Sequence, residues 1–333
     1  MAETTPVTVL TGFLGAGKTT LLNHLLRQPA LARTAVLVNE FGEIGLDHLL
    51  VEKLDDTTVL LNAGCLCCTI RGDLARTLRE MLPQARRDEI SRIVIETTGL
   101  ADPVPILATL MTDPVAASAY RLDGIVTVID AVNGATHLDT HDEAVRQVAV
   151  ADRIIISKAD LADPSPLHAR LRALNPGAAT AEIAHGKVDP AFVLHAGLFD
   201  PGAKIPDVAR WLNVAGFEAA AVHHHHDPNR HDATIEAFCL TFDAPLDGQR
   251  LAMWLEMLVA SRGENLLRVK GILNLKGHDR PVAIHAVRHL IHPPVKLTAW
   301  PDGDPRTSRI VFITRDLPRA VVENGLRALQ AAI

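Results

Sequence analysis

Near the start of the chain, two glycines five positions apart are followed by lysine and threonine, in the run from Gly12 to Thr20. The run lies between a predicted strand, Val7 to Leu10, and a predicted helix, Thr19 to Arg27. Such a turn aims backbone N–H groups at one point, and the helix N-terminus adds a positive dipole end, so together they attract phosphate. We expect a nucleoside triphosphate to bind Gly12, Gly15, Ala16, Gly17, Lys18, Thr19 and Thr20, with Lys18 on its terminal phosphates and the Thr19 hydroxyl on Mg²⁺.

The first 200 residues alternate short runs rich in Val and Ile with amphipathic helical stretches. This alternation predicts an α/β fold with a doubly wound, mostly parallel sheet. Together with the glycine turn, it predicts a P-loop NTPase. The expected strands are Val7 to Leu10, Ala35 to Val38, Val59 to Leu61, Ile93 to Ile95, Gly124 to Ile129 and Arg153 to Ile156. Expected helices include Thr19 to Arg27, Asp73 to Met81, Asp142 to Val150 and Pro164 to Leu174, the last with Asp163 as N-cap.

The pattern changes in the second half of the chain. We predict strands over Thr234 to Phe242, Leu266 to Leu275, Val282 to Leu290 and Arg309 to Thr314, and helices over Gln249 to Arg262, capped by Asp247, and Leu317 to Leu329. Grouped strands with two helices predict a smaller α+β C-terminal domain with an open sheet. The expected organisation is a P-loop domain over residues 1–205, a His-rich linker over 206–233 and the α+β domain over 234–333.

Composition narrows the class of protein. The chain has 333 residues, 48% of them hydrophobic and 22% charged, which excludes a disordered chain or a disulfide miniprotein. The net charge of −6 argues against binding to nucleic acid by broad phosphate neutralisation. The sequence has no run that resembles a signal peptide or a membrane helix, so we expect a cytoplasmic protein with no membrane partner.

The nucleotide base is expected to be read by Ser157, Lys158 and Asp160, which follow the strand that ends at Ile156. A carboxylate can accept two hydrogen bonds from the ring N–H and exocyclic amine of guanine, and a lysine stem can lie along the purine ring. The residues therefore favour GTP. The usual guanine-reading pattern is Asn-Lys-x-Asp, and here the shorter Ser157 takes the place of the asparagine.

Carboxylates at strand ends are candidates for Mg²⁺ and for a switch that senses the γ-phosphate. Glu96 is preferred because Gly99, three positions later, lets a backbone N–H approach a phosphate, and Asp130 is the alternative. The loop after the second strand carries three more carboxylates that could position Mg²⁺, orient water or complete a metal site: Glu40, Glu43 and Asp47.

Three of the four cysteines, Cys65, Cys67 and Cys68, fall within four consecutive residues. This spacing does not suit a disulfide framework but can bring three thiolates to one ion. Three sulfur ligands leave a tetrahedral metal one open position, which suits metal transfer. The ligand set favours Zn²⁺, and Co²⁺, Ni²⁺ or Cu⁺ also remain open.

Histidines form a second candidate metal site, in the predicted linker. The cluster comprises His223, His224, His225, His226 and His231. These imidazoles could gather divalent ions, or they could belong to a solvated polar linker. His285, His289 and His292 are expected to be partly buried or surface residues of the C-terminal domain.

Six motifs follow one another along the chain: GFLGAGKTT, NEFGEIGLD, GCLCC, ETTGLADP, SKAD and LLRVKGILNL. With these motifs in this order, the chain resembles the CobW family of metal-handling P-loop GTPases. The resemblance implies a GTPase that binds metal at Cys65, Cys67 and Cys68 under nucleotide control and delivers Zn²⁺, or in some members cobalt or iron, to a client metalloprotein. It also implies GTP and Mg²⁺ as cofactors. The client and the oligomeric state stay open. The alternatives are a P-loop phosphotransferase with a structural zinc, and a metal-storage or sensing module with vestigial GTPase activity.

Overall fold

The computed structural model describes residues 4–39, 60–63, 70–194, 196, 212–217, 235–300 and 303–331. The chain divides into two compact units. The first comprises residues 1–168 and 179–197, and the second comprises residues 169–178 and 198–333.

Seven of the described strands form one sheet in the first unit, with every neighbouring pair parallel. The strands are β1 Thr5–Thr11, β2 Thr34–Asn39, β3 Leu60–Ala63, β4 Arg92–Glu96, β5 Tyr120–Asp130, β6 Arg153–Ser157 and β7 Ala179–Glu182. Their order is β3-β2-β4-β1-β5-β6-β7. The predicted parallel sheet is confirmed, and β1 lies at its centre.

Four of the eight helices described between residues 18 and 193 match the predicted ones, with ends shifted by a few residues, and the other four were not predicted. They are α1 Lys18–Leu26, α2 Ile70–Arg86, α3 Val104–Thr112, α4 Pro114–Ala119, α5 Gly134–Thr140, α6 Asp142–Ala149, α7 Ser165–Leu174 and α8 Pro190–Val193. As predicted, Asp163 caps α7, because its carboxylate accepts a 3.0 Å hydrogen bond from the backbone N–H of Ser165. The largest extension is at α2, which continues through Pro83 to Arg86.

Both faces of the parallel sheet are buried. Helix α1 packs Leu21, Leu22 and Leu25 into a cluster with Leu10 of β1 and Val128 of β5. Successive strand residues point to opposite faces, and the residues that alternate with these, Val7, Val9, Ile93 and Ile95, are also buried. A sheet covered on both sides exposes the carboxyl ends of its strands as the place where loops can build a site.

The second unit contains an antiparallel sheet with two helices, as predicted. Its strands are β8 Ile235–Phe242, β9 Leu266–Leu273, β10 Val282–Val287, β11 Leu290–Ile291, β12 Val295–Lys296 and β13 Ser308–Arg315, and its helices are α9 Gly248–Arg262 and α10 Arg319–Ala331. Asp247 caps α9 by accepting hydrogen bonds of 3.0 and 3.1 Å from the N–H groups of Gln249 and Arg250. The core joins Trp254 of α9 and Leu326 of α10 to Phe312 of β13.

The prediction of one strand from Val282 to Leu290 is wrong. Arg288 has φ 51°, in the left-handed region, so the chain reverses there and Leu290 pairs back with Val287. The apolar alternation concealed this hairpin, because its turn contains neither glycine nor proline. The last helix begins at Arg319, directly after Pro318, rather than at Leu317.

Part of the predicted linker 206–233 is described, and it is packed. Phe217 is buried and lies close to Gly177. The side-chain amide of Asn213 donates a 2.9 Å hydrogen bond to the carbonyl of Pro176. The domain boundaries themselves stay a prediction.

Candidate functional site

The turn between β1 and α1 needs glycine at three positions. Gly12, Gly15 and Gly17 have φ values of 142°, 69° and 91°, which side chains rarely adopt. A Cβ at Gly12 would also lie 2.1 Å from the carbonyl oxygen of Val128 on β5. Helix α1 has no side-chain cap and no acidic residue in its first turn, so its N-terminus keeps the features of an anion site.

The lysine of this turn is folded over the loop. Lys18 is buried, and its Nζ donates hydrogen bonds of 2.9 Å to the carbonyl oxygen of Gly12 and 3.2 Å to that of Phe13. The turn therefore gathers an ammonium, backbone N–H groups and a helix N-terminus in one place. That combination binds the phosphates of a nucleotide.

A hydroxyl and a carboxylate meet beside this turn. The Thr19 hydroxyl donates a 2.9 Å hydrogen bond to Oε1 of Glu96, which is buried at the end of β4, the strand next to β1. Both oxygens are ligands that Mg²⁺ accepts, so the donor set fits this ion. Of the two predicted alternatives, Glu96 is the one in contact with Thr19, whereas Asp130 contacts Lys158 and the turn before α5.

The segment after Glu96 lies against the phosphate-binding turn. The backbone N–H of Thr97 donates a 2.9 Å hydrogen bond to the carbonyl of Leu10, and the two hydroxyls of Thr97 and Thr11 are 2.8 Å apart. A Cβ at Gly99 would lie 2.4 Å from the backbone nitrogen of Leu14. Glycine is therefore required at position 99 for close approach of the two backbones.

The expected base-reading residues take different roles. Ser157 is buried and its hydroxyl donates a 2.6 Å hydrogen bond to the carbonyl of Ala16, so it holds the phosphate-binding turn. Lys158 has φ 55° and places Nζ 3.8 Å from Oδ1 of Asp130. Asp160 keeps its carboxylate partly exposed, 3.8 Å from Nε2 of His185. Lys158 and Asp160 are thus placed at the carboxyl edge of the sheet, one strand beyond β5.

Two regions of the chain match known family domains. Residues 6–182 match the CobW/HypB/UreG nucleotide-binding domain, and residues 235–330 match the cobalamin synthesis protein CobW C-terminal domain. The chain belongs to the CobW family.

Individual relatives match half of the chain or nearly all of it. It is similar to the zinc chaperone YjiA of Escherichia coli, with 32% identity over 97% of this chain and 98% of that protein. It is similar to the zinc-regulated GTPase metalloprotein activator 1 of Schizosaccharomyces pombe, with 44% identity over 47% of this chain and 39% of that protein. The crystal structure of Zn(II)-bound YjiA GTPase from E. coli superimposes with a TM-score of 0.73 and 28% identity, covering 98% of this chain and 99% of that one.

Sequence reasoning missed a loop that joins the site of this CobW protein. The loop follows β7, whose four partly exposed residues had not been identified as a strand. It is anchored where the N–H of Ala159 donates a 3.2 Å hydrogen bond to the carbonyl of Ile183. A Cβ at Gly186 would lie 2.8 Å from the carbonyl oxygen of Thr20, so the loop also touches α1 and presents the exposed His185 beside Asp160.

A buried glutamine was also missed. The side-chain amide of Gln147, on α6, donates hydrogen bonds of 3.1 Å to the carbonyl of Gly99 and 3.0 Å to that of Ala101. It thereby fixes the segment that lies against the phosphate-binding turn. A glutamine on an amphipathic helix carries no motif by which sequence could identify this role.

Two histidines flank the phenylalanine of the phosphate-binding turn. The ring centroids of His137 and His141 each lie 4.4 Å from that of Phe13. Burial lowers the pKa of His137 below its ordinary value; the charge of Asp130 opposes this, while those of His141 and Lys158 add to it. His137 therefore favours the neutral form at neutral pH.

Several residues predicted to bind metal or to form the switch lie outside the described residues. This applies to Cys65, Cys67 and Cys68, to Glu40, Glu43 and Asp47, and to His223, His224, His225, His226 and His231. Within the described ranges, no group of three or more His, Cys, Asp or Glu side chains is arranged to hold a metal ion. Among those same residues, no helix is long and apolar enough to span a membrane.

The three isolated histidines of the CobW C-terminal region have different surroundings. His285 and His292 are buried and stack with ring centroids 4.9 Å apart. His289 is half exposed and lies 2.9 Å from Glu264.

Proposed function

We propose that this CobW-family protein is a GTP-hydrolysing metallochaperone that binds Zn²⁺ under nucleotide control and transfers it to a client metalloprotein. The observation that carries the nucleotide half of the proposal is the 2.9 Å contact between Thr19 and Glu96 beside the folded Lys18. The relatives support the zinc half, since one is a zinc chaperone and another is a zinc-regulated GTPase metalloprotein activator.

The roles of the phosphate-binding residues follow from their placement. Lys18 exchanges its bonds to the Gly12 and Phe13 carbonyls for oxygens of the β- and γ-phosphates. Thr19 and Glu96 would hold Mg²⁺, which when bound neutralises charge on the phosphates. The N–H groups at the start of α1 bind the remaining phosphate oxygens. Gly99 places the segment after β4 where its backbone approaches the γ-phosphate.

Guanine is selected at the same carboxyl edge of the sheet, after β6. Asp160 accepts hydrogen bonds from the base, and the stem of Lys158 covers the face of the ring. Ser157 supports the phosphate-binding turn instead of reading the base, because its hydroxyl donates a hydrogen bond to the carbonyl of Ala16. The base and phosphate sites are therefore joined by one direct hydrogen bond.

Chain connectivity supports coupling between nucleotide and zinc. The strand β3 ends at Ala63, two residues before Cys65, and Ala63 pairs with Asn39 at the end of β2. The strand on the other side of β2, β4, ends at Glu96. The strand that precedes the cysteine motif and the strand that ends at Glu96 thus end at the same edge of one sheet, which supports coupling between the γ-phosphate and the thiolate site. Zn²⁺ is the cargo, bound by the thiolates of Cys65, Cys67 and Cys68 with a fourth position open to a client ligand.

Turnover of GTP with and without stoichiometric Zn²⁺ tests this proposal. We expect Zn²⁺ to change the hydrolysis rate of the wild-type chain, and Lys18→Ala to abolish GTP binding and turnover together. Turnover indifferent to Zn²⁺ and Co²⁺ would favour a phosphotransferase or a vestigial GTPase. Normal GTP binding by the Lys18→Ala variant would remove the phosphate-site assignment.

A further inference from the structure

Asp130 is a buried carboxylate that the proposed mechanism has not used. It is the last residue of β5 and pairs in register with Ser157, the last residue of β6. Its Oδ1 accepts hydrogen bonds of 3.1 Å from the N–H of Val132, and of 2.7 and 3.2 Å from the backbone N–H and side-chain amide of Asn133. These bonds stabilise the turn into α5, a role that an asparagine oxygen would fill equally well.

The negative charge of Asp130 needs another explanation. Its second oxygen, Oδ2, is buried and has no hydrogen-bond partner among the described residues. A buried carboxylate with half of its acceptor capacity unused is costly unless a cation compensates it. The ammonium of Lys158 lies 3.8 Å from Oδ1 and is placed to do so.

The backbone directs Lys158 toward this carboxylate. Lys158 has φ 55°, a left-handed conformation that is unfavourable for a residue with a side chain. About two-thirds of its side chain is covered, since the exposed fraction is 34%. A lysine at the end of a strand that served only solubility would need neither the strained backbone nor the covered stem.

We propose that Asp130 is a positioning residue for nucleotide recognition, which holds the Lys158 ammonium so that its stem lies across the face of the guanine ring. The inference rests on the proposed function, because it assigns the guanine contact to Lys158. One carboxylate serves two purposes here, since the same oxygen that organises the turn into α5 also fixes the direction of Lys158. His137 and His141 lie in the same neighbourhood, and the neutral state favoured for His137 leaves Lys158 as the cation that compensates Asp130.

Asp130→Asn is the discriminating variant, because it keeps the Oδ1 acceptor and removes the charge. We expect the KM for GTP and the Kd for GDP to rise by about tenfold, the size of one charge-assisted contact, with kcat within about twofold of wild type. Inorganic tripolyphosphate, which has no base, should inhibit the variant and the wild type equally. Lys158→Met should show the same pattern, and the double variant should lose no more than either single one.

Four results would overturn the inference. Additive losses in the double variant would mean that Asp130 acts independently of Lys158. A higher Mg²⁺ requirement for Asp130→Asn would make Asp130 a metal ligand. Equal loss of GTP and tripolyphosphate binding would make it a support of the phosphate turn alone. If wild type bound no guanine nucleotide, the proposed function would fail; if wild type bound GTP and Asp130→Asn matched it, only this inference would fail.

A second measurement does not depend on the stability of an Asp130 variant. Lys158→Met leaves Asp130 and its turn intact, and NMR titration of the His137 ring reports the local charge. We expect the pKa of His137 to rise in Lys158→Met, because a positive neighbour has been removed while Asp130 remains. An unchanged titration would show that the ammonium is not held at Asp130.

Discussion

The hydroxyl of Ser157 donates a 2.6 Å hydrogen bond to the carbonyl of Ala16, across 141 positions of sequence. It joins the end of β6 to the phosphate-binding turn. Both groups are buried, so water cannot take the place of either partner if the hydrogen bond is lost. We therefore expect a change at Lys158 or Asp160 to affect the phosphate-binding turn through this contact.

Ser157→Ala tests this link. The substitution leaves the buried carbonyl of Ala16 without its donor, at an expected cost of about 1–3 kcal/mol in the free energy of unfolding. The Kd for GTP should rise with it, whereas Ser157→Thr, which keeps a hydroxyl, should stay close to wild type. Denaturant unfolding and GTP titration measure the two effects. Equal behaviour of the Ala and Thr variants would mean that the hydrogen bond has no role.

Glu96→Gln tests the Mg²⁺ site. The amide keeps an oxygen for the hydrogen bond from Thr19 but removes the negative charge that a divalent ion requires. We expect the Mg²⁺ concentration for half-maximal turnover to rise by roughly tenfold or more, the size of effect seen when a group that supports a metal site is removed. Asp130→Asn is the matched control at a neighbouring strand end, and it should leave the Mg²⁺ midpoint in place. A shift in the control and none in Glu96→Gln would reverse the two assignments.

Gly99→Ala tests the close approach of the segment after β4 to the phosphate-binding turn. The added Cβ would lie 2.4 Å from the Leu14 nitrogen, so one backbone must move, at a cost of about 1–3 kcal/mol. We expect turnover to fall with the thermal midpoint. Gly72→Ala in α2 is the control: its Cβ meets nothing within 4 Å, and helix propensity predicts a gain of about 0.5–1 kcal/mol. Wild-type turnover in Gly99→Ala would show that the two backbones separate without consequence.

His285 predicts acid sensitivity of the second unit. Burial holds the pKa of His285 well below its ordinary value, and the positive charges of His292, Arg268 and Lys270 add to this. Position 285 is therefore protonated at a higher pH in the unfolded chain than in the folded chain. Stability is fully present above the unfolded pKa of about 6.5 and is lost as the pH falls below it.

Denaturant unfolding between pH 8 and pH 5 measures this loss, with the free energy of unfolding determined in one buffer series for all variants. His285→Gln should flatten the pH dependence on the acid side, whereas His278→Gln, at an exposed position in the same unit, should retain it. If both variants kept the wild-type slope, His285 would not be the group responsible.

The sequence was most informative where a function depends on a local pattern. The glycine turn, its lysine and threonine, and the choice of Glu96 over Asp130 rested on neighbours within a few positions, and the contact of Thr19 with Glu96 agrees with that choice. The N-caps Asp163 and Asp247 were predicted for the same reason.

Contacts between distant segments were not predictable. Ser157 and Ala16 meet because parallel strands bring their carboxyl ends to one edge, and Gln147 reaches Gly99 from the helix α6. The loop at His185 was missed because β7 is short and partly exposed, so its sequence lacks the apolar run of a central strand. The hairpin at Arg288 was missed because a left-handed arginine has no signal in composition.

Zn²⁺ affinity in two nucleotide states tests the central claim most directly. It is measured by competition with a fluorescent chelator, on the chain loaded with Mg²⁺ and a non-hydrolysable GTP analogue and on the chain loaded with GDP. We predict tight binding of one Zn²⁺ that differs between the two states and disappears when Cys65, Cys67 and Cys68 are replaced by serine. Equal affinity in both states, or an undiminished stoichiometry in the serine variant, would contradict the account.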